Sequence, residues 1–363
     1  MKSGQLDFGR SDDPRVQSQL DRLSQLSVPQ GRLGLETIRA LMDRLGNPHR
    51  KLPPVFHVAG TNGKGSVCAF LRAMLEADGK RVHVTTSPHL VRYNERIRIA
   101  GKLIEDDVLA ELLEEVLDMG EGIAPSFFEV TIAAAFLAFS RTPADACIVE
   151  VGLGGRFDAT NVLEPEALAA CGIAALGLDH ERFLLAPEDG VPAEPMARIA
   201  FEKAGIAKHG IPLVTIRQPA LEMAAITAVA DEKGALVVEA KPAHGAPLSL
   251  PGEHQAVNAG LAIAMLRAQD KVAVSDTAVE TGLHTAHWPA RLQRLSSGTL
   301  TASREVWLDG GHNPSAGQAL ARHFAGQQLH IIIGMIESKD PAAILAPQRG
   351  STASVTAVPI GTH

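Results

Sequence analysis

The chain has 363 residues, a formal net charge of −7 and 45% hydrophobic residues. This length favours about two domains, and the apolar fraction is ample for a buried core. The negative charge argues against nucleic acid as a partner, because the nucleic acid backbone selects basic surfaces. Any bound phosphates would have to be neutralised locally, by a few basic side chains and metal.

The cysteines and the N-terminal segment bear on the compartment. Cys68, Cys147 and Cys171 form no C-x-x-C pair and lie in apolar stretches, which favours buried, reduced thiols. Residues 1–23 are polar and charged, so no signal peptide is predicted. The longest apolar stretch, residues 132–139, is too short to span a bilayer. We therefore expect a cytoplasmic protein without membrane attachment.

Strand and helix patterns alternate through most of the chain. Helical spacing of apolar residues predicts helices over residues 15–26, 35–45, 67–77, 106–117 and 130–139. Short apolar runs predict strands over residues 55–59, 82–86, 146–151, 172–178, 211–216 and 235–238. Continuous apolar strands that alternate with helices are typical of a parallel sheet covered on both faces, so the fold class is α/β.

The pattern breaks around residues 282–289, where His, Thr and Pro are frequent. A new unit follows, with a strand predicted over 305–308, a helix over 315–324 and a strand over 329–334. We place a domain boundary near residue 289, giving domains 1–289 and 290–363. Few residues follow residue 334, and the Ser/Thr-rich end suggests no closing strand or helix. We expect the smaller, Rossmann-like C-terminal α/β domain to be incomplete.

The most informative stretch is VAGTNGKGSV over residues 58–67. A glycine-rich turn between a strand and a helix points backbone N–H groups at a ligand, and phosphate oxygens bind there. The run departs from the commonest P-loop, since Val58 replaces the first glycine and Gly65 separates Lys64 from Ser66. The alternative is a tight glycine turn with a surface lysine. The strand–turn–helix context favours a nucleoside triphosphate site.

Chemically reactive residues follow the other early strands. Ser87, Glu150 and His180 each stand near the carboxyl end of a predicted strand, where open α/β sheets bind ligands. Beside Lys64 they would form a Mg²⁺ site around a triphosphate. Each has a structural alternative: Ser87 could cap a turn, and His180 could be a hydrogen-bonded turn residue. Glu150 is harder to explain structurally, because an unpaired buried carboxylate is costly.

Three further segments carry chemistry in this sequence. Phe127 and Phe128 could stack on a flat heterocycle, although core packing is the commoner use of paired aromatics. Lys203 lies in an apolar helix end, where the alternative is a lysine that extends its amine to solvent. Asp309 follows a strand of the second unit and could hold ribose hydroxyls or orient an arginine. Its alternative is a capped glycine turn.

Together these motifs resemble the folylpolyglutamate synthase/dihydrofolate synthase family, within the Mur-ligase-like ATP-dependent amide ligases. The matching motifs occur in family order between about residues 30 and 340. They are HVAGTNGKGS (57–66), TSPHL (86–90), YNERIR (93–98), FFE (127–129), EVGLGGR (150–156), DATN (158–161), LDH (178–180), EKAGI (202–206), Asn258, PARLQ (289–293) and DGGHNP (309–314).

The resemblance implies a role for each matching residue. The ATP phosphates would be bound by Thr61, Asn62, Gly63, Lys64, Gly65 and Ser66. Further nucleotide contacts would come from Asn258, Arg291, Asp309 and His312. Ser87 and Glu150 would hold one Mg²⁺, and His180 would help to hold a second. Lys203 would be carbamylated. The implied catalytic residues are Lys64, His180 and Lys203. The pterin pocket would be lined by Ser126, Phe127, Phe128, Phe157, Asp158 and Ala159.

The implied activity is ATP-dependent joining of L-glutamate to an acceptor through an acyl phosphate. The acceptor would be 7,8-dihydropteroate, a folate such as tetrahydrofolate, or each of these in turn. A monomer is expected. Two alternatives stay open. A Mur-type ligase acting on a UDP-sugar peptide is one, although only residues 1–53 precede the first strand, where such ligases usually carry a further domain. The other is an ATP-binding protein whose short C-terminus has removed catalysis.

The sequence departs from the family pattern in two places. Residues 186–195 form a Pro-rich insertion between His180 and Lys203, and Leu185 stands where the family usually has glycine. We expect this insertion to disturb the second metal site. The chain is also some tens of residues shorter than typical members, which is why the C-terminal domain is expected to be incomplete.

Overall fold

The structure, a computed structural model, describes residues 10–26, 34–296, 298–299, 301–302, 304–336 and 339–360. The fold is α/β, and the residues in these ranges form one large sheet and two small ones. In these ranges, no helix combines the length and the apolar character needed to cross a membrane.

A mostly parallel sheet forms the centre of the molecule. Within the described residues it contains eight strands, in the order β4-β3-β2-β5-β1-β6-β7-β8. Their bounds are β1 Val55–Ala59, β2 Val82–Thr85, β3 Ile97–Ile99, β4 Lys102–Leu103, β5 Ala146–Glu150, β6 Leu168–Ile173, β7 Leu213–Ile216 and β8 Val237–Ala240. The strands from β2 to β8 in this order pair in parallel, and β3 and β4 add an antiparallel edge.

The predicted strands overlap observed ones, with ends that differ by up to two residues in all but one case, and the short β3 and β4 were not predicted. The run at 172–178 was expected to be a strand, but β6 spans Leu168–Ile173 and the chain from Ala174 to Asp179 is a loop. Pairing with β1 decides the bounds, since Val55 aligns with Leu168 and Ala59 with Ile173. Because the strand ends earlier, His180 lies on a loop beyond the sheet edge.

Helices cover both faces of this sheet, as predicted. They are α1 Pro14–Ser24, α2 Glu36–Arg44, α3 Lys64–Ala77, α4 Asp106–Met119, α5 Phe127–Arg141, α6 Glu181–Leu184, α7 Pro195–Ala204, α8 Ala220–Lys233, α9 His254–Arg267 and α10 Asp276–Thr285. The apolar side chains form two clusters, one on each face. The first includes residues of α1, α2, α4, α5, α7 and α8, and the second residues of α3, α9 and α10.

Alternate residues of the central strands point to opposite clusters. In β1, Val55 and Ala59 belong to the first cluster, whereas Phe56 and Val58 belong to the second. All five residues of β1 and of β5 are buried. Strands that are buried on both faces need apolar side chains throughout, which explains the continuous apolar runs in the sequence.

The C-terminal part contains shorter elements. These are β9 Gln293–Arg294, β10 Trp307–Leu308, α11 Pro314–His323, β11 Leu329–Ile333, α12 Ala342–Leu345 and β12 Thr352–Ala357. The expectation that nothing closes this part is wrong, because β12 pairs in parallel with β11. The β-branched Thr352, Val355 and Thr356 suit a strand, although the stretch is polar. The domain boundary near residue 289 stays a prediction.

Candidate active site

The loop between β1 and α3 presents the start of a helix to the carboxyl edge of the sheet. Thr61 and Asn62 donate their backbone N–H groups to the carbonyl of Ala175, at 2.9 and 3.0 Å. These bonds hold the loop against the segment that follows β6. The first turn of α3 has no intrahelical partner for its first N–H groups, and an anion is the ligand that such groups favour.

Two glycines of this loop cannot be replaced without a collision. Gly63 precedes α3 with a left-handed φ of 87°, and a Cβ there would lie 2.3 Å from Oδ1 of Asn258. A Cβ on Gly65 would lie 2.7 Å from the ring of Trp288. The loop therefore packs directly against α9 and against the segment after α10, and the backbone of its glycines is the surface available to phosphates.

Two lysines meet at one carbonyl oxygen. The Nζ atoms of Lys64 and Lys203 donate to the carbonyl of Gly60, at 3.1 and 3.0 Å. Lys203 is only 4% exposed. Burial lowers the pKa of Lys203 to about 7, and the nearby charge of Lys64 lowers it as well. A large share of the Lys203 side chain is therefore a neutral amine at neutral pH.

Glu150 ends β5 in the same place. Its Oε2 accepts the backbone N–H of Ser87 at 3.0 Å, and its Oε1 lies 4.0 Å from Nζ of Lys64. Burial raises the pKa of Glu150, while Lys64 and the Ser87 N–H counteract that rise. The carboxylate is thus compensated by one lysine and one backbone donor in an apolar setting, which suits it to bind a further positive charge.

His180 adopts a left-handed conformation at the start of α6, with φ of 53°, and its side chain is 45% exposed. The side chain of its neighbour Asp179 contacts two side chains of the C-terminal part. Asp179 accepts a hydrogen bond from Nζ of Lys339 at 2.8 Å, and its Oδ2 lies 3.5 Å from Nε2 of His312. Burial raises the pKa of Asp179, but His312 and Lys339 lower it more, so this carboxyl is ionised well below its usual range.

In the part of the chain that the structure describes, the expected metal ligands lie among oxygen donors rather than in a cluster of His, Cys, Asp and Glu side chains. Within the described ranges, no three His, Cys, Asp or Glu side chains are grouped to hold a metal ion by themselves. The Oγ atom of Ser66 is buried and has no hydrogen-bond partner among the described residues. Together with Ser87 and Glu150 it supplies oxygen donors, which is the set Mg²⁺ uses when phosphates and water complete its shell. The residues fit a divalent cation bound with a nucleotide.

Aromatic side chains, which we call the aromatic wall, line the same site. The rings of Phe127 and Phe128 meet edge to face, with centroids 6.2 Å apart, and both are half-buried. Ser126 caps α5 and exchanges hydrogen bonds with Glu129. Buried Asp158 accepts the backbone N–H groups of Leu153 at 2.8 Å and of Thr160 at 3.0 Å. These bonds fix the loop that carries Phe157 and Ala159.

The C-terminal part contributes further groups to this site. Asp309 accepts the backbone N–H groups of Leu292 and Gly311, at 2.8 and 2.7 Å. Asn313 caps α11 and donates to Oδ1 of Asn62 in the phosphate loop at 2.8 Å. The C-terminal part therefore contacts the loop directly through a side-chain hydrogen bond.

All of the residues nominated from the sequence line one cavity of about 1240 Å³. The cavity joins the phosphate loop, the carboxylate and lysine pair, the aromatic wall and the C-terminal strand end. Sequence reasoning did not nominate Arg96, His254 and Asn313, which also line it. Arg96 and Asn313 lie inside motifs quoted above, so their signal was present. His254 carried no motif that could have identified it, and neither did Lys339, which contacts Asp179, or Trp288, which lies beside Gly65.

This fold and this cavity define an ATP-dependent enzyme of the P-loop α/β class. No protein-family model matches the sequence. The chain is 36% identical over 344 residues to the dihydrofolate synthase/folylpolyglutamate synthase of Bacillus subtilis, covering 84% of this chain and 76% of that one. Escherichia coli FolC in complex with DHPP and ADP superimposes with a TM-score of 0.81 at 31% identity, covering 94% of this chain and 82% of that one.

A third comparison has the same outcome. A bifunctional folylpolyglutamate synthase/dihydrofolate synthase with Mn, AMPPNP and L-glutamate bound superimposes with a TM-score of 0.79 at 29% identity, covering 96% of this chain and 84% of that one. The chain belongs to the folylpolyglutamate synthase/dihydrofolate synthase family of ATP-dependent ligases. The family resemblance drawn from the motifs is confirmed, and so is the Mur-ligase-like fold class.

Proposed function

We propose that this chain joins L-glutamate to 7,8-dihydropteroate, to reduced folates, or to both, through an acyl phosphate. The observation that carries the proposal is the shared cavity, which is lined by Lys64 and Glu150 and also by the half-buried Phe127 and Phe128. A phosphate site beside an aromatic pocket can hold a triphosphate and a flat heterocyclic acid together. The relatives support this pairing, since FolC was solved with DHPP and ADP in one complex.

The reaction needs activation of a poor electrophile. A carboxylate oxygen of the acceptor attacks the γ-phosphorus of ATP, the bond to the β-phosphate oxygen breaks, and ADP leaves. The α-amine of glutamate then attacks the carbonyl carbon, and the tetrahedral intermediate loses phosphate and a proton to give an amide. The chain's own contribution is to position the reactants and to stabilise charge.

Lys64 and the loop amides would stabilise the negative charge of the phosphoryl group as it is transferred. We assign the cation bound with the nucleotide to Ser66, Ser87 and Glu150, and a second site to His180 with modified Lys203. A divalent cation bound there neutralises phosphate charge and acts as a Lewis acid. Mn²⁺ in the related complexes supports a divalent ion, and the number of sites is our inference.

Lys203 is proposed to be carbamylated. Its neutral amine would add to CO₂ with loss of a proton, which turns an uncharged group into an anion. The low pKa of Lys203, about 7, supplies the neutral amine that this addition requires. The side chain would then change from a donor to Gly60 into an oxygen ligand for a cation.

The remaining roles follow from position. We assign nucleotide contacts to Asn258, Arg291, Asp309 and His312, and the acceptor pocket to Ser126, Phe127, Phe128, Phe157, Asp158 and Ala159. The boundary near residue 289, the monomeric state and the cytoplasmic compartment stay predictions.

The deciding experiment supplies Mg²⁺, ATP and L-glutamate with 7,8-dihydropteroate, and in a parallel reaction with tetrahydrofolate. Phosphate release and the mass of the pterin product are measured. A gain of one glutamyl residue on dihydropteroate supports the synthase activity, and a gain on tetrahydrofolate adds the second activity. If ATP binds but neither acceptor gains mass, the proposal is wrong, and the alternative of an ATP-binding protein without catalysis is favoured.

A further inference from the structure

The segment between α6 and α7 contains the insertion identified in the sequence, and one of its side chains points inward. Glu188 accepts two hydrogen bonds from Arg156, at 2.5 Å from Nη2 and 3.1 Å from Nη1. It also accepts one from Arg198 of α7, at 2.7 Å. The Glu188 side chain is only 15% exposed. The insertion is therefore bound through Glu188 to Arg156, on the loop after β5, and to Arg198 of α7.

Glu202 binds the same two arginines. It accepts from Nη2 of Arg156 at 2.7 Å and from Nε of Arg198 at 3.0 Å. Glu188, Arg156, Glu202 and Arg198 thus form a closed ring of two cations and two anions, which we name the charge cluster. The Arg198 and Glu202 side chains are 7% and 5% exposed. The formal charges cancel, so each buried ion is compensated by two partners.

The charge cluster lies directly behind residues of the candidate site. The guanidinium of Arg156 lies over the ring of Phe157, 4.3 Å from its centroid, and Phe157 lines the cavity. The backbone N–H of Arg156 also donates to the carbonyl of Glu202 at 2.8 Å. Glu202 directly precedes Lys203 on α7. A shift of Arg156 would therefore move Phe157, whereas Lys203 is held separately by Gly60.

We propose that Glu188 is a positioning residue for the acceptor pocket, because it orients Arg156 and through it the ring of Phe157. The insertion would thus support the acceptor pocket, and its effect on the second metal site stays a prediction. This inference rests on the proposed function, where Phe157 was assigned to the acceptor pocket. Glu188 itself touches no reacting group, so its effect should fall on acceptor binding.

Removing the charge of Glu188 leaves the charge cluster with a net positive charge. Glu188→Gln keeps the size of the side chain but leaves two arginines facing one glutamate in a mostly buried place, which favours a movement of Arg156 towards solvent. The chain offers a matched control at the next position. Asp189 lies on the same segment and is exposed, so Asp189→Asn removes the same charge without entering the cluster.

The test compares steady-state kinetics of Glu188→Gln, Asp189→Asn and the unchanged protein. We expect Glu188→Gln to raise the KM for dihydropteroate about tenfold, with kcat and the KM for ATP within about twofold of the unchanged values. Asp189→Asn should match the unchanged protein. A purely structural role would lower kcat through loss of folded enzyme and would leave the KM for dihydropteroate unchanged, and that result overturns the proposal.

Two further measurements keep the test decisive. If Glu188→Gln does not fold, Glu188→Asp retains the charge on a shorter side chain, and its KM for dihydropteroate must then exceed that of the unchanged protein. Hydrogen–deuterium exchange over residues 152–158 needs no turnover. Faster exchange in Glu188→Gln than in Asp189→Asn supports the link to this loop even if dihydropteroate is not the substrate, and equal exchange refutes it.

Discussion

The large sheet and the C-terminal part of the chain contribute to the same cavity in different ways. The sheet and the helices packed on it supply buried groups: Glu150 at the end of β5 and Lys203 on α7 are each 4% exposed. The C-terminal part supplies half-buried Asp309 and exposed His312. Their strands differ in the same sense, because β5 is buried throughout whereas most residues of β12 are exposed.

This difference in burial assigns different tasks to the two regions. Charge stabilisation is strongest where water is excluded, so the groups that we propose to face the phosphates are carried by the buried sheet and the helices packed on it. Contacts from the C-terminal part are few and lie near solvent, which allows that part to engage and release a ligand at small cost. The following predictions, from the largest expected effect to the smallest, test this division.

The largest effect should come from the core of the sheet. Phe56 is fully buried in β1, so Phe56→Ala should lower the free energy of unfolding by about 3–5 kcal/mol. Ile332 of β11 is 74% exposed, and Ile332→Ala should change the free energy of unfolding by less than about 0.5 kcal/mol. Urea unfolding followed by circular dichroism measures both. Similar losses for the two variants would contradict the contrast between the regions.

Lys64 should be the most important single side chain for turnover. Lys64→Ala removes the cation beside Glu150 and the phosphates, and kcat should fall by about 10²–10³. Lys102→Met, on the exposed edge strand β4, serves as the charge control and should retain activity. Phosphate release in the presence of dihydropteroate and glutamate gives both rates. A Lys64 variant with more than a tenth of the original kcat would show that another group stabilises the transferred phosphoryl.

The amine of Lys203 should make activity depend on both pH and bicarbonate. Its pKa is about 7, so the fraction of neutral amine falls about tenfold per pH unit below that value. At limiting bicarbonate, activation should therefore increase from pH 6 to 8 and then level off. Lys203→Met should abolish the bicarbonate effect, and Lys233→Met, on the exposed end of α8, should not. Activation that is independent of pH would argue against carbamylation.

The smallest effect should come from the contact between the two regions. Lys339→Ala removes the 2.8 Å bond to Asp179, and we expect the KM for ATP to rise by no more than about tenfold. Arg349→Ala, at an exposed position of the same part, is the control. Raising the salt concentration should reduce the difference between Lys339→Ala and the unchanged protein. An effect as large as that of Lys64→Ala would mean that the C-terminal part is not a weakly attached element.

Much of the sheet could be predicted because its strands are buried on both faces and are therefore apolar throughout. β1 was predicted residue for residue, and β2 and β5 with an excess of one residue each. The strand at 172–178 was misplaced because the apolar run extends beyond the paired residues, and pairing with β1 is not visible in one sequence. β12 was missed because its residues are polar and exposed, so no burial pattern marks them.

The candidate site was predictable as far as it lies at strand ends and in contiguous motifs. Lys64, Glu150 and Ser87 meet because parallel strands end at one edge, a rule that needs no side-chain detail. Glu188 and Lys339 could not be found in this way. Their partners Arg156 and Asp179 are 32 and 160 positions away in the sequence, and no periodic pattern connects such pairs.

The shared carbonyl of Gly60 has a consequence for proton balance. Because the phosphates of a metal-free nucleotide would lie beside Lys64 and Lys203, they should favour the ammonium form of Lys203 and raise its pKa. Binding near neutral pH should then take up protons, and by linkage the affinity should weaken as pH rises through about 7. Calorimetric titrations in buffers of different ionisation enthalpy measure this uptake, and prior conversion of the amine to a carbamate should remove it.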